Sequence, residues 1–230
     1  MTKVLIVAHG QPGDPEPQQQ AVETLAARIA PHLPQAQVGG ATLAMPGALN
    51  IATADTLIYP MFMASGWFTR SELPRRLALA GAEGARVLEP FGSHPGLPAL
   101  CLHLITDAAA GQGWALADTD LLIAAHGSGR SRAPSTAARA MADRLAPHVA
   151  TTRCGFIEEA PFITDAARNL PARTICLPLF ATNADHVTED LPKALTDAGF
   201  QGITLPPVGL ADAVPALIAE SIRAALNERP

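Results

Sequence analysis

Two histidines and a glutamate set the chemistry open to this chain. His126 follows the run LLIAA, Glu158 follows TTRCGFI, and His186 stands six residues past TICLPLF. Each run reads as a buried strand, so the three side chains come from three strand ends, on the edge of a parallel sheet where ligands bind. Neutral imidazole ligates metals and accepts protons. A single strand-end histidine is more often a structural hydrogen-bond donor, but two imidazoles and a carboxylate converging from three strands make a candidate site. Gly127, directly after His126, lets backbone approach a ligand closely because it has no Cβ. Ser128 follows it, and Thr182, Asn183 and Asp185 share the stretch that carries His186.

The elements that must hold these residues occur twice. VLIVAHG, beginning at Val4, is matched by LLIAAHG 117 residues later, and RIAPHL (Arg28 to Leu33) by RLAPHV at an offset of 116. IYPMF (Ile58 to Phe62) matches CLPLF, SELPRRL matches EDLPKAL, and EPFG matches PPVG, at offsets of 118, 118 and 117. Landmarks that keep their order while offsets drift by single residues are the trace of a duplication with small insertions and deletions. A Gly-bearing linker near 111–117 (AGQGWALAD) divides the chain into an N-terminal domain over 1–112 and a C-terminal domain over 118–230.

Each half alternates strand and helix. In the second, strands over TTRCGFI, TICLPLF and GITLPPVG follow the His-Gly strand, a helix starts near Pro192 and closes at Gly199, and a last helix runs from Val214 to Leu226. Continuous apolar strands separated by helices specify a parallel sheet covered on both faces, so the expected fold is α/β, two tandem doubly wound domains. Pro192, tolerated only at a helix start, puts His186 in the loop just ahead of that helix.

The first half lacks the set. His9 is kept, but the Leu-Pro landmark puts Phe68 opposite His186, and alignment on Pro46 and Pro161 puts Leu43 opposite Glu158. With Trp67 and Phe68 aromatic where the second half is polar, this half reads as a degenerate copy that supplies an apolar wall, leaving one site per chain. His9 alone reads as structural. His32 and His148 end helices, where they suit the dipole, and His94 and His103 have no counterparts and look incidental. Arg130 and Arg132 could be solvated or could bind a carboxylate.

Composition narrows the partners. The net charge is −5, with two lysines, Lys3 and Lys193, against fourteen arginines, and this excess of acid argues against nucleic acid. Cys101, Cys154 and Cys176 lack CxxC spacing and read as reduced core residues of a cytoplasmic protein. The apolar run from Val4 to Ala8 is too short for a signal-peptide core or a membrane span. Ala8 and Ala125 stand where a histidine phosphatase needs an arginine before His-Gly, and Ser128 lacks the GxSxG elbow of a serine hydrolase.

These motifs resemble the sirohydrochlorin chelatase family of the CbiX/SirB type, ATP-independent class II tetrapyrrole chelatases. The matching residues are LLIAAHGS at 121–128, GFIEE at 155–159 and LPLFATNADHVTEDLP at 177–192. The resemblance implies that His126 and His186 are the catalytic, metal-handling pair and Glu158 the supporting carboxylate. It also implies a Co2+ or Fe2+ ion inserted as substrate into sirohydrochlorin, for cobalamin or sirohaem, with no permanent cofactor. Imidazole is a borderline ligand for such ions, and a carboxylate can orient it or take a pyrrole proton. Substrate contacts are expected from Gly127, Ser128, Arg130, Thr182, Asn183, Trp67 and Phe68, with the flat ligand in a cleft between the halves and its carboxylates on backbone N–H groups and arginines. The chain resembles a fused homodimer, hence a monomer with pseudo-dimeric halves. The rival reading is a metal carrier or tetrapyrrole-binding scaffold without catalysis.

Overall fold

A computed structural model describes residues 1–228. The strands and helices are β1 (Thr2–Ala8), α1 (Pro15–Ile29), β2 (Ala36–Thr42), β3 (Leu57–Pro60), α2 (Leu73–Leu79), β4 (Arg86–Val87) and α3 (Leu97–Gly111), followed by β5 (Asp120–Ala125), α4 (Ala133–Leu145), β6 (Thr151–Phe156), α5 (Ile163–Ala167), β7 (Thr174–Pro178), α6 (Leu191–Asp197), β8 (Ile203–Thr204) and α7 (Val214–Asn227). They build two four-stranded sheets of orders β2-β1-β3-β4 and β6-β5-β7-β8, parallel throughout. The two sheets have one topology, as a duplication requires.

Local sequence accounts for most of these elements. Val4 to Ala8 and Leu121 to Ala125 are buried because helices cover both faces of each sheet. α1, α2, α3, α4, α6 and α7 each carry proline in the first turn, where the missing N–H is no loss. β8 is only two residues long, shorter than the GITLPPVG run suggests, because Pro206 and Pro207 cannot donate to a ladder. The cysteines are free; Cys101 and Cys176 are buried, and burial pushes their thiols up to about 12. Among the described residues no helix is long and apolar enough to cross a membrane.

The compact units do not follow the expected boundary at 112–118. One unit comprises Met1–His94 together with the described residues from Asp212 onward; the other is Pro95–Ala211. The helix that ends each half has therefore changed places. α3 packs on β7 and α4 of the second unit, burying Leu97, Leu100, Cys101, Ile105 and Ala109. α7 packs on α1 and β3 of the first, burying Val214, Ile218 and Ile222. Surface pairs fasten α7: Arg28 reaches Asp212 at 3.0 Å, and Arg86 reaches Glu228 at 2.7 Å and the Ala225 carbonyl at 3.1 Å. His94, which the sequence makes incidental, is buried against α7 between the Leu217 backbone and Glu220; burial lowers its pKa. Because the two sheets present similar faces, either can receive either helix, and an amphipathic stripe does not say which.

Candidate metal centre

His126, Glu158 and His186 meet in the second unit. One ligand atom from each can be chosen so that all three lie within 4.8 Å of one another. At about 2.1 Å per bond, tetrahedral ligand atoms would stand about 3.4 Å apart, so these half-exposed side chains would draw closer together around an ion. The imidazoles of His126 and His186 stand edge to face, with centroids 4.5 Å apart and planes at 87°. The Glu158 carboxylate lies 3.7 Å from His126 Nδ1.

Parallel pairing puts these groups on one edge. Ala125 is level with Phe156 on β6, and Ala124 with Pro178 on β7, so all three strands end on the same side. The ladder extends one step further, with the Glu158 N–H donating to the His126 carbonyl at 2.9 Å. Gly127 then turns the chain at φ +68°, and a Cβ there would stand 2.8 Å from Phe156 Cβ and 2.9 Å from Glu159 Cγ. The turn is held by Glu159, whose Oε1 accepts the Ser128 N–H at 2.8 Å. The Ser128 N–H, expected to face a substrate carboxylate, is thus already taken. Ser128 Oγ accepts the N–H groups of Arg130 and Ser131, each at 3.2 Å, which closes the turn. The Arg130 and Asn183 side chains are exposed and Thr182 is half-buried, in the loops flanking the three ligands.

His186 does not sit in a loop. It opens a π-helical turn, His186–Asp190, that runs straight into α6, with the Leu191 N–H closing onto the His186 carbonyl. The wider turn lets the helix continue back past Pro192, which has no N–H to give it, and such turns gather at functional sites. The turn also carries Asp190, absent from the sequence reading: its Oδ2 lies 2.7 Å from His186 Nδ1. His126 Nδ1 makes its own contact with the Gly127 carbonyl at 3.0 Å. Carbonyl and carboxylate oxygens only accept, so both Nδ1 atoms carry the proton and both Nε2 lone pairs are left for a ligand. Spacing in the sequence could have flagged Asp190, four residues after His186 in a helical stretch.

The first unit repeats the geometry with different chemistry. His9 and Phe68 stand edge to face at 4.5 Å and 89°, so Phe68 fills the place of His186. Phe68 also opens a π-helical turn, Phe68–Glu72, and with Trp67 and Phe62 it forms an aromatic ledge. Trp67 is 61% exposed. The residue opposite Glu158, however, is Ala44, whose N–H donates to the His9 carbonyl at 3.0 Å; Leu43 is buried in the core below. Alignment on the prolines misses this because Ile157 to Pro161 is one residue longer than Leu43 to Pro46. Neither Ala44 nor Phe68 can ligate a metal.

A family model described as CbiX matches residues 120–225. No curated protein matches the chain by sequence. Among solved structures, one described as CbiX, the terminal enzyme for biosynthesis of siroheme in denitrifying bacteria, is 74% identical over 97% of this chain and 99% of its own, with a TM-score of 0.94. A multi-domain protein from Deinococcus radiodurans, described as structurally similar to chelatases, is 23% identical over 99% of this chain and 56% of its own, with a TM-score of 0.73. SirB from Bacillus subtilis with Fe3+ is 12% identical over 97% and 95%, with a TM-score of 0.70. The last two likenesses concern the fold.

Proposed function

Because the chain belongs to the CbiX family of sirohydrochlorin chelatases, we propose that its second unit inserts a divalent metal ion into sirohydrochlorin without nucleotide. The observation that carries this reading is the clustering of His126, Glu158 and His186 at an open strand edge. The ion is Fe2+ by preference, since the 74%-identical relative is described as an enzyme of siroheme biosynthesis; Co2+ is the alternative. The sequence has no GxxxxGK loop with which to bind a nucleotide.

The reaction exchanges two pyrrole N–H protons for one divalent ion, so charge balances. Two nitrogen donors and one carboxylate leave coordination positions open, from which an ion can pass to macrocycle nitrogens. The Nε2 lone pairs of His126 and His186 strip water from the ion and hold it at the edge. Glu158, half-exposed and 3.7 Å from His126, takes one released proton, and the other passes to solvent water at this exposed edge. Arg130, Thr182 and Asn183, in the loops flanking the three ligands, would take the carboxylates of the pigment.

The test is anaerobic visible absorbance of sirohydrochlorin with Fe2+ or Co2+, using the wild type, His186→Ala and a protein-free control. Metallation accelerated by the wild type and not by the variant is the expected result. Pigment binding without acceleration by the wild type would overturn catalysis in favour of a scaffold.

A further inference from the structure

We propose that Asp190 is the positioning residue of this site: its carboxylate takes the Nδ1–H of His186 and so holds the Nε2 lone pair toward His126 and Glu158. The inference rests on the reading of those three residues as metal-handling, and it adds a fourth residue on which their geometry depends.

The contact is short, 2.7 Å between His186 Nδ1 and Asp190 Oδ2, and both side chains are partly exposed. The ring is partly exposed and packs edge to face on His126, and a hydrogen bond at Nδ1 fixes which nitrogen keeps its lone pair. The backbone already does this for His126 through the Gly127 carbonyl. His186 sits on a helical turn whose carbonyls are committed along the helix axis, as the Leu191 N–H bond to its own carbonyl shows, and so it needs a side chain. Four residues on, in the same π-helical turn, Asp190 supplies it. Without that acceptor the ring can turn over or carry its proton on Nε2, and either change removes the lone pair from the site.

The duplicated half shows what happens to this carboxylate when there is no histidine to hold. The counterpart of Asp190, at the offset of 118, is Glu72, and the counterpart of His186 is Phe68. Glu72 is buried and turned to Arg75, with bonds of 2.8 and 2.9 Å, and to Arg76 at 2.6 Å. Arg76 in turn bonds the Leu43 carbonyl. In the second unit those arginines are Lys193 and Ala194, and Lys193 faces Asp197 at 3.8 Å instead. Asp190 is therefore left to His186. The acidic position is common to both halves, but its partner follows the presence of the histidine.

The experiment uses the full chain with Asp190→Ala, Asp190→Asn and Asp190→Glu, with His186→Ala as the floor. Co2+ is titrated in and followed by its visible d–d absorption. The tautomer of His186 is read without metal from long-range 15N–1H correlations of the histidine side chains. Asp190→Ala should weaken Co2+ binding about 10- to 100-fold and move the His186 proton from Nδ1 toward Nε2. Asp190→Asn, of the same shape and still able to accept through its amide oxygen, should recover part of both effects, and Asp190→Glu most of them. Unchanged tautomer and affinity in Asp190→Ala, with His186→Ala still losing the ion, would overturn the positioning role and leave the site intact. Co2+ bound equally well by His186→Ala would instead overturn the reading of the site on which the inference rests.

Discussion

Replacing Gly127 with alanine should damage the site in a way that replacing Gly199 does not, although both glycines have nearly the same backbone. Their φ values are +68° and +67°, but a Cβ at Gly127 meets Phe156 Cβ at 2.8 Å, Glu159 Cγ at 2.9 Å and Glu159 Oε1 at 3.0 Å, whereas one at Gly199 meets nothing within 4 Å. The left-handed conformation costs alanine about 1–2 kcal/mol, common to both. The stiffer unfolded chain offsets about 0.4–1 kcal/mol of this, again in both. What remains for Gly199→Ala is about 1 kcal/mol. Gly127→Ala adds overpacking against Phe156, about 1–3 kcal/mol, because that Cβ is fixed to a buried strand. It also drives Glu159 away from the Ser128 N–H, a charge-assisted hydrogen bond of about 1.5–3 kcal/mol. The difference between the two variants is thus at least about 2 kcal/mol. Urea unfolding of both, with midpoints compared at equal slope, measures it. Co2+ titration should show weaker binding only in Gly127→Ala, since His126 moves with the turn. Equal destabilisation of the two variants would refute the claim that the Glu159 clamp shapes the His-Gly turn.

Three further outcomes follow from the same geometry. Ala44→Glu with Phe68→His should create a second Co2+ site in the first unit, raising the stoichiometry by one in a titration; because Glu72 stays on its arginines, the new site should be about 10- to 100-fold weaker than the native one. His94, whose pKa burial depresses below the ordinary 6.5, binds fewer protons folded than unfolded. Stability should therefore fall as pH drops below about 6.5, and urea unfolding of His94→Gln should show a shallower fall over that range. Glu72 is the acidic counterpart: hydrogen bonds from Arg75 and Arg76 bring it down to about 2, so its contribution is present above pH 4.5 and is lost as pH falls toward 2. Glu72→Gln should flatten that acid limb and lower the unfolding midpoint at neutral pH, where Arg75 and Arg76 lose their partner.

The sequence by itself determined the duplicated plan, the eight strands and the convergence of three residues, His126, Glu158 and His186. Strand ends follow from local apolar runs, and parallel pairing carries every such end to one edge, so His126, Glu158 and His186 were bound to face the same way. It also determined that Phe68 deprives the first half of its second imidazole. Only the tertiary structure decided the rest. A helix stripe is equally satisfied by either of two similar sheets, and so the exchange of α3 and α7 depends on which packing the whole chain completes. The one-residue difference that puts Ala44, not Leu43, opposite Glu158 is settled by ladder hydrogen bonds across strands far apart in sequence. The sequence puts Glu159 beside Glu158 at a strand end and Asp190 just ahead of Pro192, but only a turn and a π-helical register brought one onto the Ser128 N–H and the other onto His186. Their partners are set by distances of less than 3 Å in space, and hydrophobic periodicity does not encode side-chain distances at that scale.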